Sequence, residues 1–208
     1  MKLKVLFILF TCLTFGQEKP IVFYNESGQK INEQNFIETK DYSKNLDLYF
    51  ENDTTQIGVL VTRKKFGQLE KNTFENLKSY LYELTNREID STQNIVINYL
   101  TAYPKKDEST NSKSRWNLLQ KGYLKKLHKI ENICQFWIHS PESDNLEYNQ
   151  QKRINWIADK ENLIKHLFFP FEVRYGNYLF IKPDGKFYYF LGEHSKHQIL
   201  EDAEKFFK

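Results

Sequence analysis

The tightest constraint in the chain is NIVINYL, residues 94–100, where Ile95, Val96 and Ile97 run together without the polar alternation of a strand that has one wet face. Such a segment is buried on both sides and belongs inside a sheet covered by helices above and below. The residues downstream agree. Trp116, Leu119, Tyr123, Leu127 and Ile130 recur at steps of three and four and predict one helix, with Lys121, Lys125 and Lys129 on its solvated side. Residues 132–139 read as a second strand and residues 154–158 as a short extended piece. Asp159 then caps a helix carrying Leu163, Ile164, Leu167 and Phe168. Residues 178–181 and 187–191 flank Lys182-Pro183-Asp184-Gly185-Lys186, a turn in which proline presets one torsion and glycine takes another. Ser195 caps a last amphipathic helix over 197–207. Strands alternating with helices imply a parallel core, and the tight final turn forces an antiparallel pair at its end. The expectation is an α/β fold with a mixed sheet and helices on both faces.

Upstream, residues 20–39 predict a strand, a turn at Glu26-Ser27-Gly28 and a second extended or short helical piece. Residues 46–50 and 57–61 flank Asn52-Asp53-Thr54 as a hairpin. Phe74, Leu77, Leu81 and Leu84 place a helix over 71–85, with Asn72 and Glu75 as its cap. Residues 17–93 therefore read as a β-rich and helical N-terminal extension packed on a core of 94–208.

The first residues carry an address rather than a fold. Lys2 and Lys4 precede an apolar stretch over 5–10 and small or polar residues over 14–16, the pattern of a secretory signal peptide (1–16) cut near Gly16 or Gln17. That stretch is shorter than the roughly 20 residues a bilayer requires, and no later segment supplies a transmembrane span. The expected location is periplasmic or extracellular. Leu9, three positions before Cys12, gives the alternative of a lipid anchor on Cys12. Cleavage removes two lysines and no carboxylates, taking the formal charge from +3 to +1. A balance so near neutral argues against a nucleic-acid partner. Cleavage also leaves Cys134 as the one thiol, so no intramolecular disulfide can form.

The element order, apolar spacing and turns of residues 94–207 resemble the thioredoxin-like family, specifically exported thiol-disulfide oxidoreductases and their peroxiredoxin relatives. NIVINYLTAYPKKD is similar to the first core strand and active-site corner, and ENICQFWIHSPES to the second core strand. The stretch from NWIADKENLIK to the final helix follows the family's closing order. In the family that corner carries Trp-Cys-x-x-Cys, whose first thiol is activated at a helix N-terminus. Here Tyr103 takes the aromatic place, Pro104 and Asp107 take the cysteine places, and Lys105 and Lys106 lie between. The position of the family's proline before the third core strand falls near Gly176 or Asn177. The resemblance implies the scaffold without the dithiol. It also implies a binding surface at Tyr103, Pro104, Lys105, Lys106 and Asp107 with Tyr175, Gly176 and Asn177, facing another envelope protein or a peptide.

Three further candidates rest on residue chemistry alone. Cys134 offers a monothiol nucleophile, the basis for an alternative enzymatic reading, but its place inside a strand beside Phe136 predicts an inert buried thiol. His139 has the opposite strand parity and points away from it. His194 and His197 have a spacing that suits a metal, against the simpler reading of exposed residues at a helix start. Asp107 and Glu108 beside Lys105 and Lys106 read as a solvated loop. No Gly-x-Ser-x-Gly elbow, His-Glu-x-x-His helix or phosphate-cradling glycine loop occurs, so no cofactor is expected.

Overall fold

A computed structural model describes residues 19–101, 122–142, 154–173 and 176–208. The expected signal peptide, Cys12, the corner residues 103–107, Trp116, Leu119 and Tyr175 lie outside the described residues. The chain divides into two units, one of residues up to 41 with 45–61 and one of 42–44 with 62–208.

The first unit contains β1 (Ile21–Asn25), β2 (Lys30–Ile31), α1 (Glu33–Thr39), β3 (Asn45–Glu51) and β4 (Gln56–Thr62). Its sheet runs β2-β1-β4-β3, with β1 antiparallel to β2 and parallel to β4. The expected turn forms between β1 and β2: the Asn25 carboxamide oxygen accepts from the amides of Ser27 and Gln29, and Gly28 takes a φ of 76°. Asn32 caps α1 by accepting from the Asn35 amide at 2.7 Å. Phe36 of α1 is buried against the rings of Phe23 and Tyr49. Gly58 makes room for them, since a Cβ there would lie 2.7 Å from the Phe23 ring.

The second unit contains β5 (Lys64–Gln68), α2 (Lys71–Thr85), β6 (Asn94–Leu100), α3 (Tyr123–Leu127), β7 (Ile133–His139), β8 (Ile157–Ala158), α4 (Leu163–Phe168), β9 (Asn177–Ile181), β10 (Lys186–Phe190) and α5 (Lys196–Phe207). The sheet order is β5-β10-β9-β6-β7-β8. β6 runs parallel to β7 and antiparallel to β9, and β10 is antiparallel to both its neighbours. All seven positions of β6 are buried, as its unbroken apolar run requires. Strand parity separates two cores. Val96, Tyr178, Phe180, Tyr188 and Phe190 pack with α3 and α5 through Tyr123, Leu127, Ile199, Ala203 and Phe207. On the other face, Phe168 and Phe169 at the end of α4 meet Tyr99, Phe187 and Tyr189. Tyr80 of α2 reaches the same side through Asp159. This is a mixed α/β sheet with helices on both faces.

Two sequence expectations need correction, and one strand goes unannounced by the sequence. β5 carries only one large apolar residue and shows no strand pattern, yet it forms the sheet edge because β10 offers it a full register from Lys186↔Gln68 to Phe190↔Lys64. Both β5 and α2 group with residues 94–208 in one unit. The N-cap of α2 is Glu70, without a side-chain hydrogen bond, and Asn72 lies inside the helix. Finally, Gly122 has a φ of 99° and starts α3, so the apolar period through Tyr123 and Leu127 does not belong to one helix running unbroken through residue 122.

Candidate functional site

The C-terminal end of β6 is where the expected binding corner departs, and its described flanks are tied by a polar knot. Thr101 donates its hydroxyl to the Val173 carbonyl at 2.8 Å and accepts from the Val173 amide at 3.0 Å. The Asn177 side-chain amide donates to the Thr101 hydroxyl at 3.2 Å and toward the Tyr99 carbonyl at 3.4 Å, while its oxygen accepts from Gly192 N–H at 2.9 Å. Register places Asn177 opposite Tyr99, so the strand end before the corner and the segment before β9 do come together. Gly176, with a φ of 84°, makes the turn into β9. Neither Gly176 nor Asn177 faces solvent, however. The Asn177 side chain is consumed in holding three backbone segments, which makes it a positioning residue in place of the contact residue expected. Thr101 and Gly192 carry no signal of this role in the sequence, because it is defined by partners far along the chain.

Cys134 is the second residue of β7, fully buried and paired in register with Ile95. Desolvation pushes its thiol pKa up, only partly offset by the Arg87 guanidinium. A buried thiol held in its neutral form is a poor nucleophile. His139 lies on the opposite face of β7 and donates from Nδ1 to the Ser140 carbonyl at 2.7 Å, so the structure does not join it to Cys134.

The two histidines also part. His194 is buried, its ring edge-on to Tyr178 and its Nδ1 donating to the Gly192 carbonyl at 2.9 Å. Desolvation lowers its pKa to about 4. His197 is exposed on the first turn of α5, 3.9 Å from Glu201. The expectation of two exposed residues holds only for His197: the left-handed turn at Gly192 (φ 82°) precedes a segment that carries His194 under the sheet end. Among the described residues, no group of three or more His, Cys, Asp or Glu is placed to hold a metal ion.

One cluster was legible only in part. Asp159 is wholly buried and accepts from four donors: Tyr80 OH at 2.7 Å, Tyr99 OH at 2.9 Å, and the amides of Lys165 at 2.9 Å and Ile164 at 3.4 Å. The N-cap position of α4 is Asn162 and not Asp159 as expected, yet Asp159 takes two first-turn amides of that helix from three residues upstream and also binds α2 and β6 to it. Burial is the main cause driving both phenol pKa values well above the ordinary range, and the neighbouring carboxylate adds to it. With every acceptor position occupied, this carboxylate serves cohesion and offers no proton-transfer partner to a ligand.

No family model and no curated protein matches the chain. A solved structure of MTB DsbF, in its mixed oxidized and reduced forms, is similar over 55% of this chain and 81% of its own, at 10% identity and a TM-score of 0.37. Among the described residues no helix is long and apolar enough to cross a membrane.

Proposed function

We propose that the chain is an exported thioredoxin-like protein that works by binding another envelope protein or a peptide, without dithiol chemistry. The observation that carries this reading is the state of the one thiol beyond residue 16: Cys134 is inside a strand, buried and held protonated, while Pro104 and Asp107 stand where the family's cysteines would be. The binding surface is the corner of Tyr103, Pro104, Lys105, Lys106 and Asp107 with Tyr175. The Thr101–Asn177 knot supports it by fixing the strand ends on which such a surface would be mounted.

The test has two arms. The mature protein should leave a disulfide-linked reporter peptide unreduced in the presence of a dithiol donor, and Cys134 should resist a thiol reagent until the fold is denatured. Rapid native labelling of Cys134 would instead favour a monothiol enzyme. Alanine at Tyr103, Lys105 and Lys106 together should weaken capture from a displayed peptide library at least tenfold with an unchanged circular dichroism spectrum; undiminished capture removes the corner from consideration. Mass spectrometry of the mature N-terminus should find a start near Gln17, and a diacylated Cys12 would make the protein a lipoprotein.

A further inference from the structure

The β5 edge of the sheet carries a pocket. β5, β10 and α5, with the turn after β9, enclose a pocket of about 360 Å³ lined by Lys64, Phe66, Lys182, Lys186, Tyr188, Asp202, Lys205 and Phe206. Its volume is within the range of small-molecule sites. Three rings make its floor: Phe66 lies 4.7 Å from Tyr188 and 6.4 Å from Phe206 between centroids, and Tyr188 lies 6.1 Å from Phe206. Phe66 is 69% exposed, a large apolar surface left uncovered inside a concavity.

The rim is positive. Lys64 and Lys182 make no ion pair among the described residues; their ammonium groups sit 5.7 Å from the Phe190 centroid and 5.2 Å from the Phe206 centroid. Lys186 and Lys205 pair with Asp184 and Glu201, both outside the lining, in exposed contacts that contribute little and can open. The lining's single carboxylate acts on Lys205 and leaves the positive charges in excess. Asp202 Oδ2 is turned inward, accepting from Tyr178 OH at 2.5 Å and Tyr188 OH at 2.9 Å. Four lysines lining a pocket with an aromatic floor and a single carboxylate select for a molecule that is flat and apolar at one end and anionic at the other.

We propose that this pocket binds a small organic anion: an aryl or comparably flat apolar body bearing a phosphate or carboxylate. The ring lies on Phe66, Tyr188 and Phe206, and the acidic group meets Lys64 and Lys182. The probe is 1-naphthyl phosphate, titrated into the purified chain by calorimetry and by amide NMR, with 1-naphthol and inorganic phosphate as partial ligands. Saturable one-to-one binding is expected, at least tenfold tighter than either partial ligand, with shifts centred on β5, β10 and α5. The paired change Lys64→Gln and Lys182→Gln should weaken it tenfold or more and flatten its salt dependence. Phe66→Ser, at an exposed position, should weaken it as much while thermal unfolding stays cooperative. Absence of saturable binding, equal affinity for 1-naphthol or for inorganic phosphate, or an affinity unmoved in both variants would overturn the proposal.

Discussion

Asp159 and Asp202 are one device used on opposite faces of a sheet, each a carboxylate that accepts from two tyrosine hydroxyls. A buried phenol without a partner is costly, and a charged acceptor gives the stronger bond. The two sites differ in what depends on them. Asp159 also takes two α4 amides, so Asp159→Asn puts an amide donor among groups that all donate. That change should cost about 2–4 kcal/mol by urea unfolding, whereas Tyr80→Phe should cost about 1 kcal/mol. His194 supplies the pH dependence. Its pKa in the fold is about 4, below the ordinary 6.5, so the unfolded chain binds the extra proton first. Stability from this residue is complete above pH 6.5 and lost as pH falls toward 4, by up to roughly 3 kcal/mol. Denaturation midpoints measured across that window should decline, and His194→Phe should flatten the decline. Of these roles the sequence discloses only that Asp159 serves the start of α4, because its bonds to that helix are local and the tyrosines arrive from other elements.

Among the elements, β5 shows most directly how tertiary context overrides local pattern. Its lysines suit an exposed edge, where charge discourages pairing with other chains. Gly67 is required there by a close approach, since a Cβ would stand 2.3 Å from the end of the Phe187 ring, its partner in register. Gly67→Val should therefore displace Phe187 from its edge contact with Phe168 and cost about 1–3 kcal/mol, read as a lowered unfolding midpoint with near-native secondary structure. The helices divide by the range of their signals. α5 and its Ser195 cap appear where the spacing puts them, with Ile199, Ala203 and Phe207 inward. α3 is shorter than its period suggests, since a left-handed glycine interrupts a pattern that records burial but not backbone torsion.

For the molecule as a whole, the second unit is larger than the strand-helix alternation that first reveals it. A chain beginning at Asn94 loses β5, which covers the edge of β10, and α2, which brings Tyr80 to Asp159 and buries Phe74, Leu77 and Leu81. Such a chain should lack cooperative unfolding and well-dispersed amide resonances; a native-like spectrum would show those elements to be dispensable. Arg63 illustrates why the boundary lies where it does. Its guanidinium donates to the carbonyls of Tyr42, Leu191 and Glu193 and stacks on Phe190 at 4.5 Å, joining segments up to 130 positions apart. The fold class, the central place of β6, the hairpin at Gly185 and the burial of Cys134 are all written in the order of the residues. They follow from periodicity and turn chemistry contained within a few positions. Long-range packing was needed to make β5 a strand, to turn Asn177 inward, to part His194 from His197 and to bring four lysines and three rings to one pocket. Each of these depends on which distant segments become neighbours, and a sheet's register, set by packing across the whole unit, is what makes that choice.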